Sequence, residues 1–496
     1  MKKIVIIGGG IAGLTAGVYA QKAGFESVIL EKNAVPGGEC TGWDRQGCHI
    51  DGCIHWMCGT KPGSDMYDTW CAVGALGGDI EIIDLPALWS YSFGGKSVTL
   101  WSDLDRVQKE MIELSPEDET EIRDFISDAR SVSSMEMPTK VPVDMMKLGE
   151  LISIGMKMKG AGGVMSRKGK LSCEEYAKRF HNPVLGKFFS SSMPEGYSVS
   201  SMIFSMGMFA SGQAGIPRGG SRAMALRMAA KYESLGGELR LSTPVCEIIV
   251  QNGQASGVKL SNGETVNGDY VLAACDAAFT LNKLLGGKYK IKELDARFKD
   301  EVNYPSPTSL MISYCVDEDI SDMPVIYNFE CEPYELCGRS MTFAGIHHYG
   351  FEKSFAPERK TVATSTITLT DGDFRYFEKL YEDKAAYQAE KERIARVIGE
   401  RIEKELPRLK DKLSVIDVAT PMTYARYCNA YHGAWMSFMM TPGSKPMMHK
   451  GNIKGLKNCF LTGQWLMPPG GLPTALSTGK ASIRRITKRE GLNYLF

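Results

Sequence analysis

The chain has 496 residues, enough for about three domains or lobes. Lys+Arg and Asp+Glu balance at 58 each, which excludes a nucleic-acid binder, since that function needs a basic face to displace counterions. With 43% hydrophobic and 23% charged residues it is a globular protein and not a disordered one.

Residues Lys3–Ile7 (KIVII) read as a strand buried on both faces. Gly8, Gly10 and Gly13 follow as GxGxxG, with Ile11 and Ala12 inside the motif, and 11–23 predict a helix with Ala12, Ala16, Gly17 and Ala20 on its packing face. A strand over 27–30 ends at Glu31. Glycines allow the tight turn, the close backbone approach to a pyrophosphate and the helix–strand contact. The helix N-terminus offers N–H groups and a positive dipole end to phosphate. Glu31 stands where a carboxylate accepts hydrogen bonds from ribose hydroxyls, which disfavours NADP. The glycines of this stretch also set it apart from a signal peptide.

Further along, 145–170 is rich in Met and basic residues, with Lys147, Lys157, Lys159, Arg167, Lys168 and Lys170 against Glu150. It reads either as a solvated helix and loop or as a surface helix touching anionic lipid. Residues 200–209 (SSMIFSMGMF) fit an apolar tunnel wall or a core element. Gly160-Ala161-Gly162-Gly163 follows no strand, so no built-in NAD(P)H domain is expected, and a nicotinamide or other electron partner would visit transiently. After a helix over 222–234, strands are predicted near 239–241, 245–250, 255–260 and 270–274, with Asn252-Gly253 and Asn262-Gly263 as two-residue hairpin turns. Residues 382–405 predict an amphipathic helix with Ile394, Val397, Ile398 and Ile402 on one face. The uncharged stretches 196–217 and 427–444 carry too many Ser, Gly, Asn and Pro for a transmembrane helix. Thirteen cysteines contain no CxxC pair, which predicts no metal site and a reducing compartment, the cytoplasm, with peripheral membrane contact through 145–170 as the alternative.

Three segments carry a family resemblance. Lys32 and then Gly37-Gly38-Glu39 follow Glu31; a strand opens at Val245; and Thr462-Gly463-Gln464 precedes Pro469-Gly470-Gly471-Leu472 at the head of a last helix. In this order they resemble the FAD-dependent flavoproteins of the phytoene desaturase and amine oxidase superfamily. The resemblance implies FAD. It places the Gly37–Gly38 backbone against a phosphate, the Val245 backbone at the adenine, and amides around Gly463, Gly471 and Leu472 at the flavin, where reduced flavin carries negative charge. It also implies an α/β fold: a discontinuous Rossmann-type FAD-binding domain from 1–83, 216–280 and 432–496, and an α+β substrate domain from 84–215 and 281–431.

The stretch GGECTGWDRQGCHIDGCIHWMCG, residues 37–59, is similar to retinol saturases and their bacterial relatives. Glu39 replaces the Arg common in phytoene desaturases, and Cys53 stands where Gly is usual. Transfer of a hydride needs a proton donor or acceptor nearby. His55 is one candidate, against a role as a hydrogen-bonded core residue beside Trp56. Tyr431 and His432 are others, as pocket lining before direct catalysis, with Gly433 allowing close approach. The expected function is saturation or desaturation of a carbon–carbon bond in a small lipophilic unsaturated substrate. The other readings are a redox-neutral isomerase or hydratase of unsaturated lipids, and an amine oxidase.

Overall fold

A computed structural model describes residues 1–135, 137 and 139–492. Its first layer is a five-stranded parallel sheet in the order Glu238–Arg240, Glu26–Leu30, Lys3–Ile7, Tyr270–Ala273, Cys459–Leu461. The strands come from both chain ends and the middle. Ile4, Val5, Ile6 and Ile7 are all buried, because helices cover one face and an antiparallel sheet the other. Helix Ile11–Lys22 is buried along its first ten residues, between the parallel sheet and helices Gly220–Ser234 and Gly471–Arg489. Small residues make that packing feasible. A Cβ on Gly13 would lie 1.9 Å from the Gly8 carbonyl oxygen, and one on Gly479 would lie 2.5 Å from that of Ala12.

On the other face lies a three-stranded sheet, Val245–Gln251, Gln254–Leu260 and Thr265–Asn267. Its first turn is the expected two-residue type, with Asn252 at φ 52° and Gly253 at φ 72°. The second differs from expectation. It spans 261–264, closed by Leu260 N–H to Glu264 O at 2.8 Å, and only Gly263 has positive φ.

The second layer is a seven-stranded mixed sheet in the order Leu413–Ala419, Thr308–Val316, Thr361–Leu369, Arg339–His348, Ile326–Leu336, Ala87–Phe93, Lys96–Trp101. Its neighbours are antiparallel except for Ala87–Phe93 beside Ile326–Leu336. Helix Lys384–Glu405 backs it with Ile394, Ile398 and Ile402 buried; Val397 is only partly covered. Helices Leu104–Leu114, Glu119–Val132, Lys159–Lys168 and Val199–Ala210 pack beside it.

Residues 145–170 are two helices, Leu148–Lys157 and Lys159–Lys168. The basic run is less free than its sequence implies. Lys168 is buried, its Nζ 2.6 Å from Asp124 and 2.9 Å from Asp128, and Arg167 pairs with Asp128 as well. Helix Leu148–Lys157, by contrast, buries no residue at all.

Candidate functional site

A cavity of about 790 Å³ opens at the carboxyl ends of the parallel strands, where Ile7, Leu30 and Ala274 line it. Ligands bind at that end of open parallel sheets, because loops and helix N-termini converge there. One end of the cavity is backbone. Gly8, Gly10, Ile11 and Ala12 line it, at the head of a helix that no side chain caps, so its first N–H groups remain available to an anion. Gly37 and Gly38 lie against Gly10, held by Gly37 N–H to Gly9 O at 2.8 Å. A Cβ on Gly37 would meet Cys40 O at 2.4 Å, so only glycine fits this turn. Val245, Gly463, Gly471 and Leu472 complete this part of the wall. The last helix begins here, also without a side-chain cap. Gly13 is the one GxGxxG glycine outside the wall; its work is the contact with Gly8 described above.

Three acids line the same cavity. Glu31 accepts hydrogen bonds from Gly9 N–H at 2.7 Å and Asn33 N–H at 2.8 Å. Burial raises its pKa, and those N–H groups counter the rise. Glu39 takes a hydrogen bond from Gln464 Nε2 at 3.4 Å, and burial, then Asp276, pushes it up to about 8. Asp276 is pushed up to about 6 by burial despite N–H donors from Phe279 and Tyr431. Lys32 lines the wall too, but its Nζ donates to Arg426 O at 2.8 Å and Asn429 Oδ1 at 3.0 Å.

The other end of the cavity is apolar. Trp89, Met137, Met193, Phe204, Met208 and Trp435 are among its walls. Residues 201, 204, 205 and 208 face it from helix Val199–Ala210, so one helix serves both as tunnel wall and as core. Among the described residues, no charged side chain from 84–215 or 281–431 reaches this wall. The indole N–H groups of Trp89 and Trp435 are buried without a partner among the described residues, as expected of donors facing a ligand site.

His55 faces the cavity. The turn that presents it is pinned by buried Asp51, whose Oδ1 accepts from Cys53 N–H at 3.0 Å and Ile54 N–H at 3.1 Å, while Oδ2 accepts from Ser221 N–H at 2.7 Å. Cys53 has no positive φ, so the turn does not require glycine there. Burial lowers the His55 pKa and favours the neutral ring. Behind it sits His347, edge-on at 4.7 Å between centroids, buried, with neither ring nitrogen hydrogen-bonded among the described residues.

Tyr431 and His432 correct the sequence expectation: neither lines the cavity. His432 Nδ1 lies 2.7 Å from Asp371 Oδ1, and its ring stacks between Tyr431 and Phe374. The Tyr431 hydroxyl donates to Phe298 O at 3.4 Å. Gly433 approaches the Pro421 carbonyl, where a Cβ would stand 2.3 Å from the oxygen. The wall is made instead by Ala430, Ala434, Trp435 and Met436 on either side. Asp276, Trp435 and His347 were missed from sequence. Trp435 lies two residues past Gly433, the expected point of close approach; the other two carry no local signal.

Comparison with known proteins follows the same lines. A family model described as flavin containing amine oxidoreductase matches residues 11–487. The chain is 22% identical to the phytoene desaturase (lycopene-forming) of a Paracoccus species, over 97% of each chain. It is 22% identical to the chloroplastic prolycopene isomerase of Daucus carota, over 98% of this chain and 80% of that one. A solved oxidoreductase from Methanosarcina mazei superposes with a TM-score of 0.60 at 16% identity, over 98% of this chain and 100% of the other.

Proposed function

The chain belongs to the flavin containing amine oxidoreductase family, and from that premise we propose that this FAD-dependent enzyme adds or removes hydrogen across a carbon–carbon double bond of a small lipophilic polyene, isoprenoid or related lipid. The fit to FAD rests on the glycine-lined backbone cradle, the uncapped helix heads and Glu31. Gly8, Gly10, Ile11, Ala12, Gly37, Gly38, Val245, Gly463, Gly471 and Leu472 would hold it through backbone, with Glu31 at a ribose and Lys32 and Glu39 alongside. Bound FAD supplies two-electron exchange with a substrate carbon.

The rest falls to side chains of this chain. The apolar chamber binds a hydrocarbon and excludes water, so a proton must come from or go to a placed group. His55 is the group we assign: cavity-facing and oriented by the Asp51-pinned turn, its neutral ring accepts the proton released in desaturation, and in saturation it takes a proton from solvent first and passes that one on. Saturation then consumes one hydride and one proton per double bond; desaturation returns both. Either direction needs an external two-electron partner, a nicotinamide or another carrier, arriving transiently.

The observation that carries the substrate class is the chamber of Trp, Met and Phe side chains, with no charged group from the outer segments among the described residues. It offers an alkylammonium substrate nothing specific away from the nucleotide end, and a polyene a dry wall. Anaerobic mixing of FAD-loaded protein with a polyene tests this. Bleaching of flavin absorbance with substrate desaturation, or its return when reduced protein meets a polyene, supports the reading. No response to any polyene, with rapid bleaching by amines, refutes it. Likeness to prolycopene isomerase favours one second reading, redox-neutral isomerisation, which turnover without net electron donor or acceptor would reveal.

Lipid delivery has a matching feature. No helix among the described residues is long and apolar enough to cross a membrane. Helix Leu148–Lys157 nevertheless exposes Leu148 by 74%, Ile152 by 56% and Met156 by 68%, spaced at i, i+4 and i+8 on one face, with Lys147 and Lys159 beyond its ends. We propose that this face rests on anionic lipid. Its neighbour Lys159–Lys168 packs on Val199–Ala210, the helix that lines the chamber.

A further inference from the structure

Glu39 follows directly on the Gly37–Gly38 turn that abuts Gly10. Its carboxyl therefore belongs to the nucleotide end of the cavity. The titratable groups ranged against it are Asp276 ahead of helix Ala277–Phe279, Cys53 from the loop carrying His55, and Tyr424 and Cys428 from helix Pro421–Cys428. Gln464 reaches it from the segment before the last helix. None of these is a cation. Among the described residues of the cavity wall, the basic side chains are Lys32 and His55. The Lys32 ammonium is held by Arg426 O and Asn429 Oδ1, and His55 is kept neutral by burial.

A dinucleotide brings two more negative phosphates into this space and displaces the water that would solvate a carboxylate. An ionised Glu39 beside Asp276 would then stand desolvated among like charges with no counter-ion, which is strongly unfavourable. A neutral carboxylic acid in the same place is a hydrogen-bond donor. We propose that Glu39 binds FAD as a protonated carboxyl, donating a hydrogen bond to the cofactor where the resembled desaturases present an arginine, so that FAD binding is coupled to one proton at this side chain.

This rests on the FAD reading, and the test separates the two. FAD release from the full-length holoprotein on dilution, followed by flavin fluorescence between pH 6 and pH 9, gives Kd at each pH. With a free-protein midpoint of about 8, Kd should be flat below pH 7 and about tenfold weaker at pH 9 than at pH 7, because binding then requires a proton that the free protein has lost. Calorimetric titration of the stripped full chain at pH 9, in buffers of different ionisation enthalpy, should show close to one proton taken up per FAD. This measurement needs no variant. Glu39→Gln should keep FAD and flatten the pH profile. A wild-type Kd independent of pH with no proton uptake overturns the proposal, as does an unchanged profile in Glu39→Gln. A profile that persists in Glu39→Gln and disappears in Asp276→Asn moves the proton to Asp276 and overturns it too. Failure to bind FAD at every pH overturns the cofactor assignment itself.

Discussion

Gly13→Ala sets two opposed effects against each other. Alanine is the better helix former by about 1 kcal/mol, and Gly13 sits in a helix with ordinary negative φ, so propensity alone predicts stabilisation. The new Cβ, however, would stand 1.9 Å from the Gly8 carbonyl oxygen and 3.3 Å from Ala274 Cβ, where ordinary contact begins at 3.4 Å. Relief requires a separation of about 1.5 Å between strand end and helix. The obstacle is backbone, pinned by Gly8 N–H to Leu30 O at 2.9 Å, so it cannot swing aside as a side chain would. Overpacking of this kind costs about 1–3 kcal/mol or more, which outweighs the propensity gain. The same shift moves the helix head off the nucleotide turn by more than the tolerance of a hydrogen bond. Losing a single charge-assisted N–H contact, worth about 1.5–3 kcal/mol, weakens FAD binding by at least about tenfold. Thermal melting and fluorescence titration with FAD read both effects. Gly399→Ala is the control: it lies inside helix Lys384–Glu405 with nothing within 4 Å of its Cβ, and should raise Tm slightly without touching FAD affinity. A Gly13→Ala protein that melts higher and binds FAD as tightly as wild type would refute the account of the turn.

Other expectations reach different parts of the molecule. His55→Phe should lower turnover by about 10²–10⁴-fold while FAD stays bound; unchanged turnover in the steady state would return His55 to a structural role. Replacing Leu148, Ile152 and Met156 together by Asp should leave Tm unchanged, since the helix buries nothing. Each apolar side chain withdrawn from lipid removes about 2 kcal/mol, so cosedimentation with phosphatidylglycerol-containing vesicles should fall by at least about hundredfold, and equal binding by the triple variant would sink the docking face. Lys168→Met leaves Asp128 buried with Arg167 as its one ionic partner among the described residues and should cost about 3 kcal/mol, visible as a drop of several degrees in Tm; no drop would mean that Arg167 alone neutralises the site.

What could be read from the sequence was local or periodic. The glycine turn, the strand before it and Glu31 lie within one βαβ unit, where spacing alone determines which groups meet. The helix over 382–405 was legible because burial recurs at Ile394, Ile398 and Ile402. Tyr431 and His432 failed for a specific reason. Asn429 and His432 take left-handed φ of 54° and 48°, a conformation uncommon outside glycine that asparagine and histidine adopt more readily than most residues. Two such residues, with Ala430 and Tyr431 between them, redirect the chain, so His432 stacks on Phe374 and the wall passes to Trp435. His347 and Asp276 were beyond reach because their importance depends on partners distant in sequence, His55 in one case and Glu39 in the other.

Charge in the cavity follows the same division. Net charge is zero over the chain, yet among the described residues the cavity wall holds Glu31, Glu39 and Asp276 against a Lys32 already engaged elsewhere. A composition that looks neutral therefore conceals a site where anion binding must rely on backbone N–H groups, helix dipoles and protonated acid. Glycine makes the first two available, and the backbone positions involved are legible as GxGxxG and Gly-Gly. The third is set by the proximity of Glu39 and Asp276, two residues far apart in sequence, with two of the five parallel strands between them. Exchanging Glu39 for the arginine of the resembled desaturases would thus change more than one contact: it would replace a proton-dependent donor by a permanent cation and pull the neighbouring Asp276 back toward the ordinary carboxylate range.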